Sequence, residues 1–185
     1  MFRPKTFALL FMGFCLFFGF LGMVTFLTYR LAGVPFNFTA GEIGWVSFAG
    51  VSALIAPFSG SISQKLGIFK ITFFGLAVCL LSFQLMGWFE SVPMTVLGLL
   101  LLFLGVYSCQ PLFFLLIGES VPRESLGSAS SLYILFCVSG GSLSSIFLGP
   151  VWTFWGWTGI TVVCSASLLI SILIMAMLSG KNQQL

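Results

Sequence analysis

Tyr107 and Gln110 are the side chains in this sequence best placed to hydrogen-bond a polar group within an apolar stretch. Three residues apart, they share one face of a helix. Pro111 follows directly. It cannot donate an amide hydrogen, so it frees a backbone carbonyl one turn earlier, beside the same two side chains. A tyrosine hydroxyl, a primary amide and a free carbonyl could hold a polar ligand. They could equally bind a neighbouring helix, where such a hydrogen bond is worth roughly 1 kcal/mol in a membrane. Tyr29, Arg30 and Tyr133 are further candidates. Arg30 could draw in anionic or polar groups, or extend its head toward lipid headgroups. Ser139-Gly140-Gly141-Ser142, with Ser144 and Ser145, is a small-residue run that permits close helix contact, static or sliding.

Other chemistries lack their reagents. The sequence has no histidine and only four acidic residues, so no metal site of the usual ligand types is expected. Cys15, Cys79, Cys109, Cys137 and Cys164 all fall in apolar runs without a CxxC spacing, and read as small hydrophobes in helix packing. No nucleophile–base pair or phosphate-binding glycine loop can be assembled. Neither an enzyme nor a bound cofactor is expected. A net charge of +3, scattered along the chain, does not point to nucleic acid.

The elements that must position these residues follow from composition. Of 185 residues, 59% are hydrophobic and 6% charged, with a mean hydropathy of +1.17. Soluble domains carry about 25% charged residues, so the solvent for this surface is lipid. Apolar runs of about 20 residues without strict alternation favour membrane-crossing helices over barrel strands. Six spans are predicted, at about 7–29, 43–62, 71–89, 94–117, 129–148 and 158–178. The fold class is an all-α membrane protein, a single six-transmembrane-helix bundle. Pro57 predicts a kink in the second span, Pro111 an interruption of the fourth, and Gly149–Pro150 the end of the fifth. No charged side chain lies within any predicted span.

Orientation follows from loop cations. With the N-terminus inside, Arg3, Lys5, Lys65, Lys70, Arg123 and Lys181 are cytoplasmic, and Arg30 alone is outside. Trp45, Trp88, Trp152, Trp155 and Trp157 all fall at outer ends, as an interfacial belt would. Both termini are expected in the cytoplasm, with the chain in the cell (inner) membrane.

The loop after the second span reads Gly60-Ser61-Ile62-Ser63-Gln64-Lys65-Leu66-Gly67-Ile68-Phe69-Lys70. It resembles the cytoplasmic signature G-x-L-A-D-R-x-G-R-K of the major facilitator superfamily, which joins the second and third helices of each six-helix half. Gly60, Ile62, Lys65, Gly67 and Lys70 match or nearly match. Gln64 replaces the family's Asp, which removes a charge-relay role from this loop. Glycines for a tight turn and a cation at headgroup level remain. Tyr29-Arg30-Leu31 with Pro35-Phe36-Asn37-Phe38 resembles the outer end of the seventh helix in bacterial efflux members of the arabinose-efflux-permease-like, drug:proton antiporter type. Glu119 to Glu124, with Gly127-Ser128-Ala129, resembles the loop entering the eleventh helix. Gly140-Gly141 and Gly149-Pro150 resemble that helix itself, and Phe2 to Lys5 the end of the central loop.

The resemblance implies the C-terminal half of a secondary transporter. Its first, second, fourth and fifth spans would face a central cavity, and its third and sixth would be peripheral. Tyr107, Gln110, Tyr133, Tyr29 and Arg30 are then substrate-cavity candidates. Pro57, Pro111, Gly140, Gly141, Gly149 and Pro150 are packing or hinge candidates. The implied activity is transport of a small solute, by efflux, through alternating access. The implied partners are the lipid bilayer, the solute, and an N-terminal six-helix half or a second copy. With no intramembrane acid, any proton-carrying group would come from that partner. Two alternatives stay open: a partner-dependent or non-functional fragment of a split transporter gene, and a non-transporting membrane scaffold.

Overall fold

The structure is a computed structural model that describes residues 4–55, 63 and 67–182. The described elements are helical throughout. Helix α1 spans Pro4–Ala32 and α2 spans Ala40–Ser47, continuing as a 3-10 helix over Phe48–Ile55. Helix α3 spans Ile68–Trp88, α4 Val92–Ser120 and α5 Leu126–Asn182. Among the described residues, four helices are long and apolar enough to cross a membrane.

The last of these is a hairpin. Gly156 interrupts α5 with φ 56° and ψ −147°, a region essentially closed to side-chain-bearing residues. The contacts on α1 give the direction of each arm. In the first arm Tyr133 and Cys137 meet Gly13, Gly141 meets Leu21 and Leu148 meets Gly22. This arm therefore runs parallel to α1. In the second arm Ser167 Oγ donates to the Cys15 carbonyl (2.8 Å) and Ser171 Oγ to the Met12 carbonyl (3.2 Å). That arm runs back along α1, and each arm exceeds the about 20 residues a crossing needs.

The sequence places this reversal at Gly149–Pro150, whereas the helix runs through both residues. Proline loses its own amide hydrogen bond and crowds the carbonyl four residues earlier, yet the helix continues through it. Thr153 Oγ1 donates to the Gly149 carbonyl (3.1 Å), giving the following turn an extra bond. The reversal needs a positive φ, which Gly156 supplies and Pro150 cannot. Pro111 is likewise accommodated within an unbroken α4. The second predicted span departs from α geometry over Phe48–Ile55. Trp45, Phe48, Val51 and Leu54 are all exposed, and their spacing of three is the side-chain repeat of a 3-10 helix. The kink expected at Pro57 lies outside the described residues.

Small residues set the helix spacing. A Cβ on Gly140 would run into the backbone carbonyl of Phe14 in α1. Between α3 and α4, a Cβ on Gly75 would lie 2.6 Å from Cys109 Sγ, and one on Gly105 2.5 Å from Cys79 Sγ. The five cysteines are free thiols buried in these seams, consistent with packing roles. At one end of the bundle Thr6 and Ser120 share a hydrogen bond (3.0 Å). Lys5, Lys70 and Arg123 lie at helix termini of that same end. The opposite end collects the tryptophans: Trp88 ends α3, Trp152, Trp155 and Trp157 flank Gly156, and Trp45 adjoins Val96 early in α4.

Candidate functional site

Helix α4 carries Tyr107, Gln110 and Pro111 on a half-buried face. The buried face of α4, with Leu102, Val106, Cys109 and Phe113, turns into the bundle. Tyr107 stacks on Phe103 one turn earlier, with centroids 6.0 Å apart and rings 4° from parallel. Phe20 of α1 meets Phe103 edge-on at 5.4 Å and Tyr107 at 6.4 Å. Phe17 extends the cluster through Phe20 at 6.0 Å. Edge-on and offset pairs of this kind add about 0.5–1.5 kcal/mol beyond burial, which fixes the Tyr107 ring against α1. Gln110 makes no side-chain hydrogen bond to a described residue. Pro111 leaves the Tyr107 carbonyl without its helical donor. One phenol, one amide and one carbonyl thus stand together on an aromatic floor.

The other three cavity candidates lie elsewhere. Tyr133 is fully buried on the first arm of α5, between Phe114 (4.8 Å) and Phe113 (6.2 Å), with an edge against Gly13. Among the described residues its hydroxyl makes no well-formed hydrogen bond and faces only the Cys137 thiol, a weak partner. Tyr29 is exposed at the tryptophan end, beside Phe26 (5.7 Å) and Trp152 (6.3 Å).

Arg30 is buried, in an arrangement that is neither of the two read from sequence. Its guanidinium donates to the carbonyls of Met86 and Phe89 at the C-terminus of α3. It also lies over the rings of Trp157 (4.7 Å) and Phe36 (5.5 Å). Trp157 Nε1 donates to the same Met86 carbonyl (2.9 Å). Arg30 thereby ties α1, α3, the loop after α1 and the second arm of α5 into one knot. A cation at a helix C-terminus also opposes the negative end of the helix dipole.

Gly140 and Gly141 sit at the crossing with α1, against Phe14 and Leu21. Gly149 has open space around it. Gly67 caps the start of α3 with φ 93°, and Lys70 is exposed in the first turn. Gly60, Gln64 and Lys65 lie outside the described residues. Sequence reasoning omitted Phe20 and Phe103, since 23 phenylalanines give no means of choosing two. The i, i+4 spacing of Phe103 and Tyr107 is the local signal that was there to find.

Comparison with known proteins agrees with this architecture. The sequence profile of the Major Facilitator Superfamily matches residues 1–145. An uncharacterized transporter of Buchnera aphidicola subsp. Schizaphis graminum is 27% identical over 177 residues, covering 95% of this chain and 41% of that protein. A probable transporter of Streptomyces coelicolor is 24% identical over 147 residues, covering 75% and 32%. The fold matches the crystal structure of the POT family transporter PepTSo with a TM-score of 0.83 at 16% identity, over 96% of this chain and 37% of that one. The chain thus spans about two-fifths of the first relative's length. Apolar helices of crossing length, a core joined through small residues and the profile match lead to one conclusion: this chain is a multi-pass membrane protein that belongs to the Major Facilitator Superfamily.

Proposed function

We propose that this chain is the C-terminal six-helix half of a secondary transporter that moves a small solute by alternating access. In this reading the second crossing is the span expected at 43–62, and the two arms of α5 are the fifth and sixth. Both termini face the cytoplasm across the inner membrane, because the predicted spans put six of the seven cations on the side opposite the tryptophans. The direction is efflux, on the likeness of several segments to bacterial efflux members. The missing surface is an N-terminal half or a second copy, docked on the faces of α1, α4 and the first arm of α5.

The observation that carries this reading is the Tyr107–Gln110–Pro111 face. A primary amide without a protein partner is costly in a membrane interior unless a ligand or water reaches it. The flat Phe103–Tyr107 stack beside it offers an apolar contact surface. Together they suit a small solute with a hydrogen-bonding group and an apolar or planar part. No Asp, Glu, Lys, Arg or His lies within the predicted spans of this half, so ion coupling is assigned to the partner half.

The test is an export and uptake assay in cells or vesicles, with this chain alone and with an upstream half co-expressed. Transport is expected only in the pair. Gln110→Ala is expected to lower it about tenfold, the equivalent of one lost polar contact, with membrane insertion and thermal stability unchanged. Full activity in Gln110→Ala would remove this residue from the site. Absence of transport in every pairing would favour the scaffold or fragment reading.

A further inference from the structure

Away from α4, a cleft of about 300 Å³ opens between α3 and the second arm of α5. Gln84, Trp88, Thr158, Thr161 and Ser165 provide its polar lining, and Val162 and Leu169 part of its apolar lining. Exposed Leu81 on α3 and Leu173 on α5 continue this outer surface along both helices, so the cleft opens toward lipid. A polar lining is unusual on a lipid-facing surface, where an unpaired hydrogen-bonding group costs free energy. Gln84 Nε2 donates to Ser165 Oγ (3.0 Å) across the cleft. That bond leaves the amide a second N–H and its carbonyl, and Ser165 its hydroxyl hydrogen. No charged residue lines the cleft.

Depth narrows the choice of ligand. Trp88 stands at the rim, 80% exposed, among the tryptophans that gather at this end. Tryptophan belts sit at headgroup level. Gln84 lies one helical turn deeper, about 6 Å, where the glycerol esters of a phospholipid are found. An ester carbonyl accepts hydrogen bonds and cannot donate, and this cleft has donors to spare. Beyond Ser165 the wall becomes Ala166 and Leu169, apolar and suited to an acyl chain.

We infer that the cleft between α3 and the second arm of α5 binds a diacyl glycerophospholipid, whose ester carbonyl accepts from the Gln84 amide and the Ser165 hydroxyl. The site depends on membrane placement and is independent of the transport reading. Native mass spectrometry of the purified full chain tests it, with dioleoyl phosphatidylglycerol and its diether analogue as probes. The two share headgroup and chain length and differ in the carbonyls. The diester is expected to be retained roughly fivefold to tenfold more strongly, the yield of one or two membrane hydrogen bonds. Gln84→Leu combined with Ser165→Ala is expected to abolish that preference. Equal retention of diester and diether by the unmodified chain overturns the assignment, whether or not the double variant folds. A preference that survives in a folded double variant also overturns it, as does a polypeptide that copurifies in the cleft and excludes lipid.

Discussion

Arg30 and Gln110 are both polar side chains on long apolar helices, and the fold treats them in opposite ways. Arg30 spends its guanidinium on two α3 carbonyls and two aromatic rings, drawing four segments together. Gln110 stands half-buried without a side-chain partner among the described residues, beside a carbonyl that Pro111 has released. A satisfied polar group in a membrane protein holds the bundle together. An unsatisfied one on an accessible face is available to something that comes and goes. Their difference separates scaffold from site more clearly than residue type does.

The largest expected effect comes from breaking the knot. Arg30→Ala strips the Phe89 carbonyl of its side-chain donor, leaves Met86 with Trp157 alone, and removes two cation–π contacts. A loss of about 3 kcal/mol is expected, since a buried acceptor deprived of its donor costs ~1–3 kcal/mol and the ring contacts add ~1–2. Arg30→Lys should recover less than half, because an ammonium cannot fork between two carbonyls while lying flat on an indole. Thermal unfolding in detergent measures both. Equal melting of wild type and Arg30→Ala would dissolve the contrast with Gln110.

This contrast also marks how far the sequence could be read. The positions of three long helices, the tryptophan end and the small-residue seams were legible because each depends on composition over many residues. α1 and α4 cover the spans expected at 7–29 and 94–117, and α3 covers all but the last residue of the one expected at 71–89. The fate of Arg30 was not legible. Its partners are backbone carbonyls 56 and 59 residues away, and every residue has a carbonyl. The turn at Gly156 was hidden for another reason. Gly149–Pro150 is the stronger local breaker, and only tertiary packing on α1 decides which glycine takes the positive φ.

Gly156→Ala carries the next largest effect. A methyl group at φ 56°, ψ −147° is strained by about 1–3 kcal/mol. The variant should melt lower and show increased proteolytic cleavage near 150–158. Unchanged melting would place the reversal elsewhere than Gly156, and with it the alignment of Trp157 on Arg30.

Tyr133→Phe runs in the opposite direction. Among the described residues the buried Tyr133 hydroxyl faces only the Cys137 thiol, without a well-formed hydrogen bond, so deleting it removes a desolvated group while keeping the ring against Phe113 and Phe114. A gain of about 1 kcal/mol is expected. Transport by the assembled pair separates two roles. Unchanged transport makes Tyr133 a packing residue, whereas loss of transport in a stabilised protein would mean that the hydroxyl finds its partner in another conformation.

The smallest effect is at the start of α2, outside the predicted spans. Thr39 and Glu42 form a reciprocal capping box, in which the Thr39 amide and hydroxyl each donate to Glu42 Oε2 at 2.8 Å. These bonds hold the Glu42 carboxyl below its usual range. A depressed folded-state pKa stabilises the fold above the unfolded value, about 4.3 for glutamate, and that contribution disappears as pH falls through the folded value. The first turn of α2 should therefore loosen on acidification below about pH 4. Hydrogen–deuterium exchange of the segment 39–47, corrected for intrinsic rates, reads this directly. Glu42→Gln keeps a capping side chain without the titration, so its exchange should be flat over the same pH range. Parallel profiles for the two proteins would show that Glu42 ionisation contributes nothing to the helix, leaving Thr39 as its sole cap.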